Sequence, residues 1–283
     1  MAVTIQRLFQ EFMALFLYLW MCHCFCSTLL FSTNFSAKYP KSWLARYLFP
    51  YSVDSYSAIQ SDDVPNRITF NNLLINFILM AIFSFQHSAM AHGPIRRSIQ
   101  KFGGKVGERA AYIGLSWVAL HSLYVFWRPI SRWETTLYHL PPIIGKFVDF
   151  MFICGIGATC LCIHYCQHPK EHLTAFHKFV RQPVFGAQIF GLLMAKQMSF
   201  GRFLFVSLMV VYTYIGVVHH EKGIEKDQGT EIWQLYKQTT STFFPLKRYL
   251  WAMLRGKEDV RRWNEQRNEL YRRQYCTENG KKQ

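Results

Sequence analysis

The run from Asn72 to Ala91 contains no lysine, arginine, aspartate or glutamate. An apolar helix of about twenty residues is long enough to cross a ~30 Å hydrocarbon core. Six such spans are predicted: Leu8–Phe31, Asn72–Ala91, Ala110–Trp127, Ile143–Cys166, Val184–Ser199 and Phe203–Val218. The fourth carries Lys146 and Asp149 near its start, and the fifth is short and carries Lys196. The first is longer than a signal-peptide core and has no small-x-small cleavage site, so it reads as a true span. This explains a composition that a soluble globule rarely has, 51% apolar with a net charge of +15. Apolar residues fill the spans and basic residues fill the segments between them. The expected fold is all-α, a polytopic membrane helical bundle of about six spans followed by amphipathic C-terminal helices.

The basic residues also orient the bundle. Fourteen lysines and arginines follow Glu221, five lie between His92 and Arg109, three between Gln167 and Pro183, and Arg7 precedes the first span. With six spans these all fall on one side, 23 of the chain's 32. Positive charge accumulates on the cytoplasmic side, so both termini are expected in the cytoplasm or nucleoplasm. Residues 1–71 then comprise the first span and a non-cytosolic loop, 72–245 the transmembrane core, and 246–283 a basic amphipathic tail. The segment Glu221–Tyr275 alternates charges with Trp233, Tyr236, Phe243, Phe244, Trp251 and Trp263, the pattern of helices lying at a membrane surface. Gly103-Gly104 marks a turn, and Pro141-Pro142 opens the fourth span, where a missing N–H costs a helix nothing.

Seven of the eight cysteines lie in apolar spans, which is not a disulfide framework. The run Cys162-Ile-His-Tyr-Cys-Gln-His168 pairs Cys162 with Cys166 and His164 with His168. The two pairs are offset by about 200° around a helix, so one helix cannot bring all four onto one ion, and no metal site is assigned. Cys166, at the membrane edge, is open to acylation. In the tail, Glu258, Asp259, Glu265 and Glu269 interleave with arginines, and i,i+4 pairs such as Glu258–Arg262 and Glu269–Arg273 read as a solvated helix. Contact with anionic lipid or chromatin stays open there, without sequence-specific nucleic-acid recognition.

Two polar constellations remain. Gln86 and His87 sit at the inside end of the second span, where they either hold helices together or line a cavity open to the inner face. Arg181 precedes the proline that starts the fifth span, and Glu221 follows the return span, on the same side. A guanidinium and a carboxylate at one cavity mouth could grip a zwitterion. The competing reading is a snorkelling arginine and an interfacial glutamate.

These pieces resemble a known family. QHSAMA at 86–91, ERAAY at 108–112 and WRPI at 127–130 look like the first half of the nurim and methanethiol methyltransferase family. R-x-P-V-F at 181–185 and MSFG at 198–201 match its R-H-P segment and M-T-x-G turn. Glu221, Ile224 and Gly229 resemble its E-E-x-x-L-x-x-x-x-G tail. The likeness runs from about Asn72 to Pro245, which makes 72–245 the methyltransferase-like core. The motif residues are Gln86, His87, Ser88, Glu108 and Arg109. The family is similar in fold to isoprenylcysteine carboxyl methyltransferases, integral membrane enzymes that bind S-adenosylmethionine between the last spans and the tail. The resemblance implies cofactor contacts at Arg181, Gln182, Pro183 and Glu221, and it assigns no catalytic residue.

Three departures bear on activity. Gln182 replaces the family's histidine, His220 the first glutamate of its pair, and Lys196 a proline in the fifth span. They favour the nurim branch: a multi-pass inner nuclear membrane protein with a structural or anchoring role and no cofactor. Its expected partners are membrane lipids and nuclear envelope or lamina proteins. The alternative is an S-adenosylmethionine-dependent membrane methyltransferase acting on a thiol or carboxylate.

Overall fold

A computed structural model describes residues 2–54, 70–91, 93–130, 136–166 and 180–228, and further on 233–234, 236–237, 240–244, 258, 261–262 and 265. It is an all-α membrane bundle. The helices are α1 (Ala2–Ser32), α2 (Phe35–Lys38), α3 (Phe70–Ala91), α4 (Gly93–Phe126), α5 (Pro142–Cys166), α6 (Pro183–Leu193) and α7 (Phe200–Gln228), with a π-helical turn at Leu44–Leu48. Two short strands, β1 (Thr136–His139) and β2 (Gln197–Ser199), pair antiparallel with Tyr138 opposite Met198.

Among the described residues, four of the expected spans are long and apolar enough by themselves to cross a membrane: Leu15–Ser32, Phe70–Met90, Pro142–Ile163 and Phe200–Lys226; the other two are helical but more polar or shorter. The expected third span lies in the second half of α4, which is helical but diluted by Ser116, His121 and Ser122. The expected fifth span, Val184–Ser199, stops early. α6 has 11 residues, roughly 16 Å at 1.5 Å per residue, and residues 197–199 form β2 instead. Arg202 explains the stop: its buried guanidinium donates through Nη2 to the carbonyls of Leu192 (3.3 Å) and Met194 (3.0 Å). Lys196, past the helix end, pairs with Asp149 of α5 at 2.6 Å. Most of the predicted surface helices after Glu221 lie outside the described residues. Among the described tail residues Arg261 pairs with Glu258 (3.9 Å) and Glu265 (3.7 Å), and the expected Glu258–Arg262 pair is not formed. The predicted pair Glu269–Arg273 lies outside the described residues.

The chain divides into two compact units. The first is Met1–Ile163 with Gln188–Tyr212, and the second is His164–Ala187 with Thr213–Gln283. The core of the first unit centres on Phe31. Its ring stacks on Tyr124 (4.6 Å between centroids) and meets Trp127 (6.0 Å) and Phe205 (5.0 Å) edge-on. Leu29, Leu123, Leu192 and Met209 fill in around it. Large apolar side chains such as Phe77, Phe85, Ile143 and Ile153 remain exposed, as expected of helices whose outer solvent is lipid.

Within this unit the loops gather at one end. Val53 N–H donates to the carbonyl of Phe31 (3.2 Å), and the Trp127 indole to the carbonyl of Val53 (3.1 Å). Leu140 N–H donates to Lys196 O at 2.9 Å. Asp54 accepts from Asn34 Nδ2 at 2.6 Å and from the Ser199 hydroxyl. Gly201 completes this clip, because a Cβ there would fall on Asp54 Oδ1. On α3, Asn76 brackets the backbone of Arg128, accepting its N–H (2.8 Å) and donating to its carbonyl (2.7 Å). Asn72, one turn earlier, donates to Pro129 O at 2.7 Å. The WRPI segment is thus held by an asparagine pair four residues apart on one face of α3.

Candidate functional site

In the second unit, residues 180–183 lead into α6 beside the segment 240–244. Val180 forms a parallel bridge with Ser241. The N–H groups of Arg181 and Gln182 donate to the carbonyls of Ser241 (2.8 Å) and Thr242 (2.9 Å). Pro183 then opens α6 at a position that needs no N–H. Gly186 lets the two segments approach closely, since a Cβ there would overlap the carbonyl of Phe243.

This framework brings together all four residues implied as cofactor contacts. Arg181 Nε donates to Glu221 Oε1 at 2.8 Å, and Nη2 to Oε2 at 3.3 Å. Only 9% of either side chain is exposed. Nη2 also donates to Thr242 Oγ1 (2.6 Å), and Nη1 to the carbonyls of Lys237 (3.4 Å) and Thr240. The five N–H donors of a guanidinium are therefore all engaged by protein. Gln182, 7% exposed, donates through Nε2 to His220 Nδ1 at 3.3 Å. Two of the three positions that depart from the resembled pattern thus touch each other. Their effects are one coupled change rather than two independent losses.

Sequence reasoning missed the residues that hold the returning segment. Glu225, one turn after Glu221, accepts from Gln234 Nε2 (2.6 Å) and Lys237 Nζ (3.0 Å). The i,i+4 spacing of Glu221 and Glu225 was the available signal. Thr240 and Thr242 gave none, because their role depends on a tertiary approach. Chemically, a buried cation–carboxylate pair matches the two charges of an amino-acid zwitterion. Such a ligand fits by exchange: its carboxylate takes Glu221's place on Arg181, and its ammonium faces Glu221. The donor set therefore suits the amino-acid end of S-adenosylmethionine, on condition that the pair opens.

The other constellation lies in the first unit. His87 Nδ1 is 2.9 Å from Ser116 Oγ, and its Nε2 is 2.5 Å from the hydroxyl of Tyr112. Both ring nitrogens thus tie α3 to α4, and the ring lies 6.1 Å from that of Tyr212. Of the two readings, the helix tie holds for His87. Gln86 Oε1 is buried with no hydrogen-bond partner among the described residues, whereas Ser88 is exposed. Glu108 accepts from Arg96 Nε and Gln100 Nε2, each at 2.9 Å. These bonds span the break in α4 at Gly104, whose φ of 62° suits glycine. Arg109 is exposed. Among the described residues no group of three or more His, Cys, Asp or Glu is placed to hold a metal ion. His168, in the run first considered for metal, lies outside them.

Comparison with known proteins gives relatives of one kind. Methanethiol S-methyltransferase 1 of Bradyrhizobium diazoefficiens is 26% identical over 198 residues, covering 64% of this chain and 69% of the relative. The methanethiol S-methyltransferase of a Pseudomonas species is 27% identical over 194 residues, covering 61% and 73%. That of Crocosphaera subtropica is 23% identical over 228 residues, covering 73% and 85%. No family profile matches the chain, and no solved structure matches it.

Proposed function

We propose that this chain is a multi-pass membrane methyltransferase with a small thiol as acceptor and S-adenosylmethionine as methyl donor. The observation that carries this is its similarity, along 61–73% of its length, to enzymes named for methylating methanethiol. The buried Arg181–Glu221 pair supports it, because its charges complement an amino-acid end group. When bound, the donor supplies a methyl group on a cationic sulfur. This chain's residues would bind and orient it: Arg181 and Glu221 at the amino-acid end, with Gln182 and Pro183 shaping the mouth. The acceptor thiol would lose its proton as its sulfur takes the methyl group. The direct test is purified protein in vesicles given labelled S-adenosylmethionine and methanethiol. Labelled dimethyl sulfide is the expected product. Its absence, together with absence of cofactor binding, would sink the reading.

A second reading, an anchoring protein of the inner nuclear membrane without methyl transfer, draws on specific observations. Arg181 has no free donor in this state, and the contact between Gln182 and His220 lacks the carboxylate expected in the family. Under it, a tagged chain gives a nuclear-rim pattern that resists salt extraction. The unmodified protein then shows no cofactor binding by calorimetry, and the double change Gln182→His with His220→Glu gains it. Both readings keep the termini on the cytoplasmic or nucleoplasmic side, an orientation supported by the charge distribution.

A further inference from the structure

The stretch between α1 and Asp54 is zipped at its base. Asn34 and Asp54 bond twice, with Asn34 Nδ2 donating to Asp54 Oδ2 at 2.6 Å and Asp54 N–H to Asn34 Oδ1 at 2.9 Å. Next along, Ser36 and Ser52 share a hydroxyl bond of 2.5 Å, and Ala37 N–H reaches Ser52 Oγ at 3.2 Å. Beyond the zipper the chain does not continue outward. The Phe49 ring stacks on His23 at 5.3 Å, and the Tyr51 ring meets His121 edge-on at 5.2 Å. His23 lies nine residues before the end of α1, about 13 Å back along its axis. The Phe49 end of the loop therefore turns back beside α1 instead of leading away from it.

Its far face is exposed and has no covering partner among the described residues. Tyr39, Trp43, Leu44, Tyr47 and Leu48 are 40–71% exposed, whereas Ala45 on the inner face is fully buried. The backbone meets its own needs, with Phe49 N–H donating to Leu44 O (2.9 Å), Arg46 N–H to Ser42 O (3.1 Å) and Ser42 N–H to Tyr39 O (2.9 Å). Backbone at membrane depth must be satisfied internally, and this turn largely is. Tryptophan and tyrosine favour the boundary between headgroups and chains, and the exposed Lys41 and Arg46 complement lipid phosphates.

We propose that Tyr39–Phe49 is a re-entrant membrane-docking element. Its aromatic face packs against phospholipid at the headgroup–chain boundary of the leaflet in which α1 ends. The stacking of Phe49 on His23 holds it against α1.

The test uses the full chain reconstituted in phosphatidylcholine vesicles containing phosphatidylserine. Emission lost on Trp43→Phe, an exposed and tolerant site, is Trp43's own share. That share is expected to be quenched by phospholipid brominated along its chains and spared by aqueous iodide. A second reporter, Tyr47→Trp in the Trp43→Phe chain, should behave alike. Quenching by iodide would put the loop in water and overturn the proposal. Protection from both quenchers would also overturn it, because a second copy or another protein would then cover the face.

Discussion

Asp54 is an acid with 1% of its surface exposed. Burial pushes its carboxyl up to about 6, while the hydrogen bonds from Ser199 and Asn34 and the charges of Arg202 and Lys38 pull the other way. A folded pKa above the unfolded value means that the folded chain binds the proton more tightly. That stabilisation is complete below about pH 4 and is lost as pH rises through about 6. At 1.36 kcal/mol per pKa unit, it is on the order of 2–3 kcal/mol. Asp54→Asn removes the titration, so unfolding measured in detergent from about pH 4 to about pH 8 should lose that part of its slope. An unchanged slope would assign the pH dependence elsewhere. Beside it, Gly201→Ala drives a methyl group into Asp54 Oδ1. Overpacking of this kind costs about 1–3 kcal/mol, to be read as a lowered thermal midpoint. Asp54 did not stand out in the sequence, and Gly201 did so only as part of MSFG. Asp54 sits in a polar loop, and only the fold reveals that the loop is buried at its base.

At the scale of elements, α3 and α4 are joined at both ends, by Asn72 and Asn76 at one and His87 at the other. A double-mutant cycle of His87→Phe and Tyr112→Phe isolates the second tie. The expected coupling is about 0.5–3 kcal/mol in unfolding free energy, and additive single effects would remove His87 from that role. The helices themselves were legible, because apolar runs and the Gly103-Gly104 and Pro141-Pro142 signals act locally. The end of α6 was not. No glycine or proline follows Leu193; the stop comes from Arg202, on the next helix. β1 and β2 are too short to show an alternating pattern, and each exists only because the other is near. For the candidate site, the positions of Arg181, Pro183 and Glu221 were legible from their order around the return span. The saturation of Arg181 by Thr240 and Thr242 depends on a segment about sixty residues away and was not.

At the scale of the whole molecule, the loops after α1, before α5 and between α6 and α7 are bonded to one another, so they share one side of the membrane. Under the proposed orientation, with the basic segments cytoplasmic or nucleoplasmic, that side lies opposite the cytoplasm. A glycosylation acceptor inserted near Ser57 should then be modified and one at Thr277 should not; the reverse pattern would invert the topology. The clip on that side also constrains how the protein is made. Asp54 waits for Ser199, 145 residues further along the chain. At a synthesis rate of about 5–20 residues per second, the nascent chain carries the acid for roughly 7–30 s with Asn34 but without Ser199 or Arg202 to meet it. The first loop to emerge is therefore among the last parts to set. Membrane insertion must deliver β2 and the start of α7 before the beginning of the chain can close.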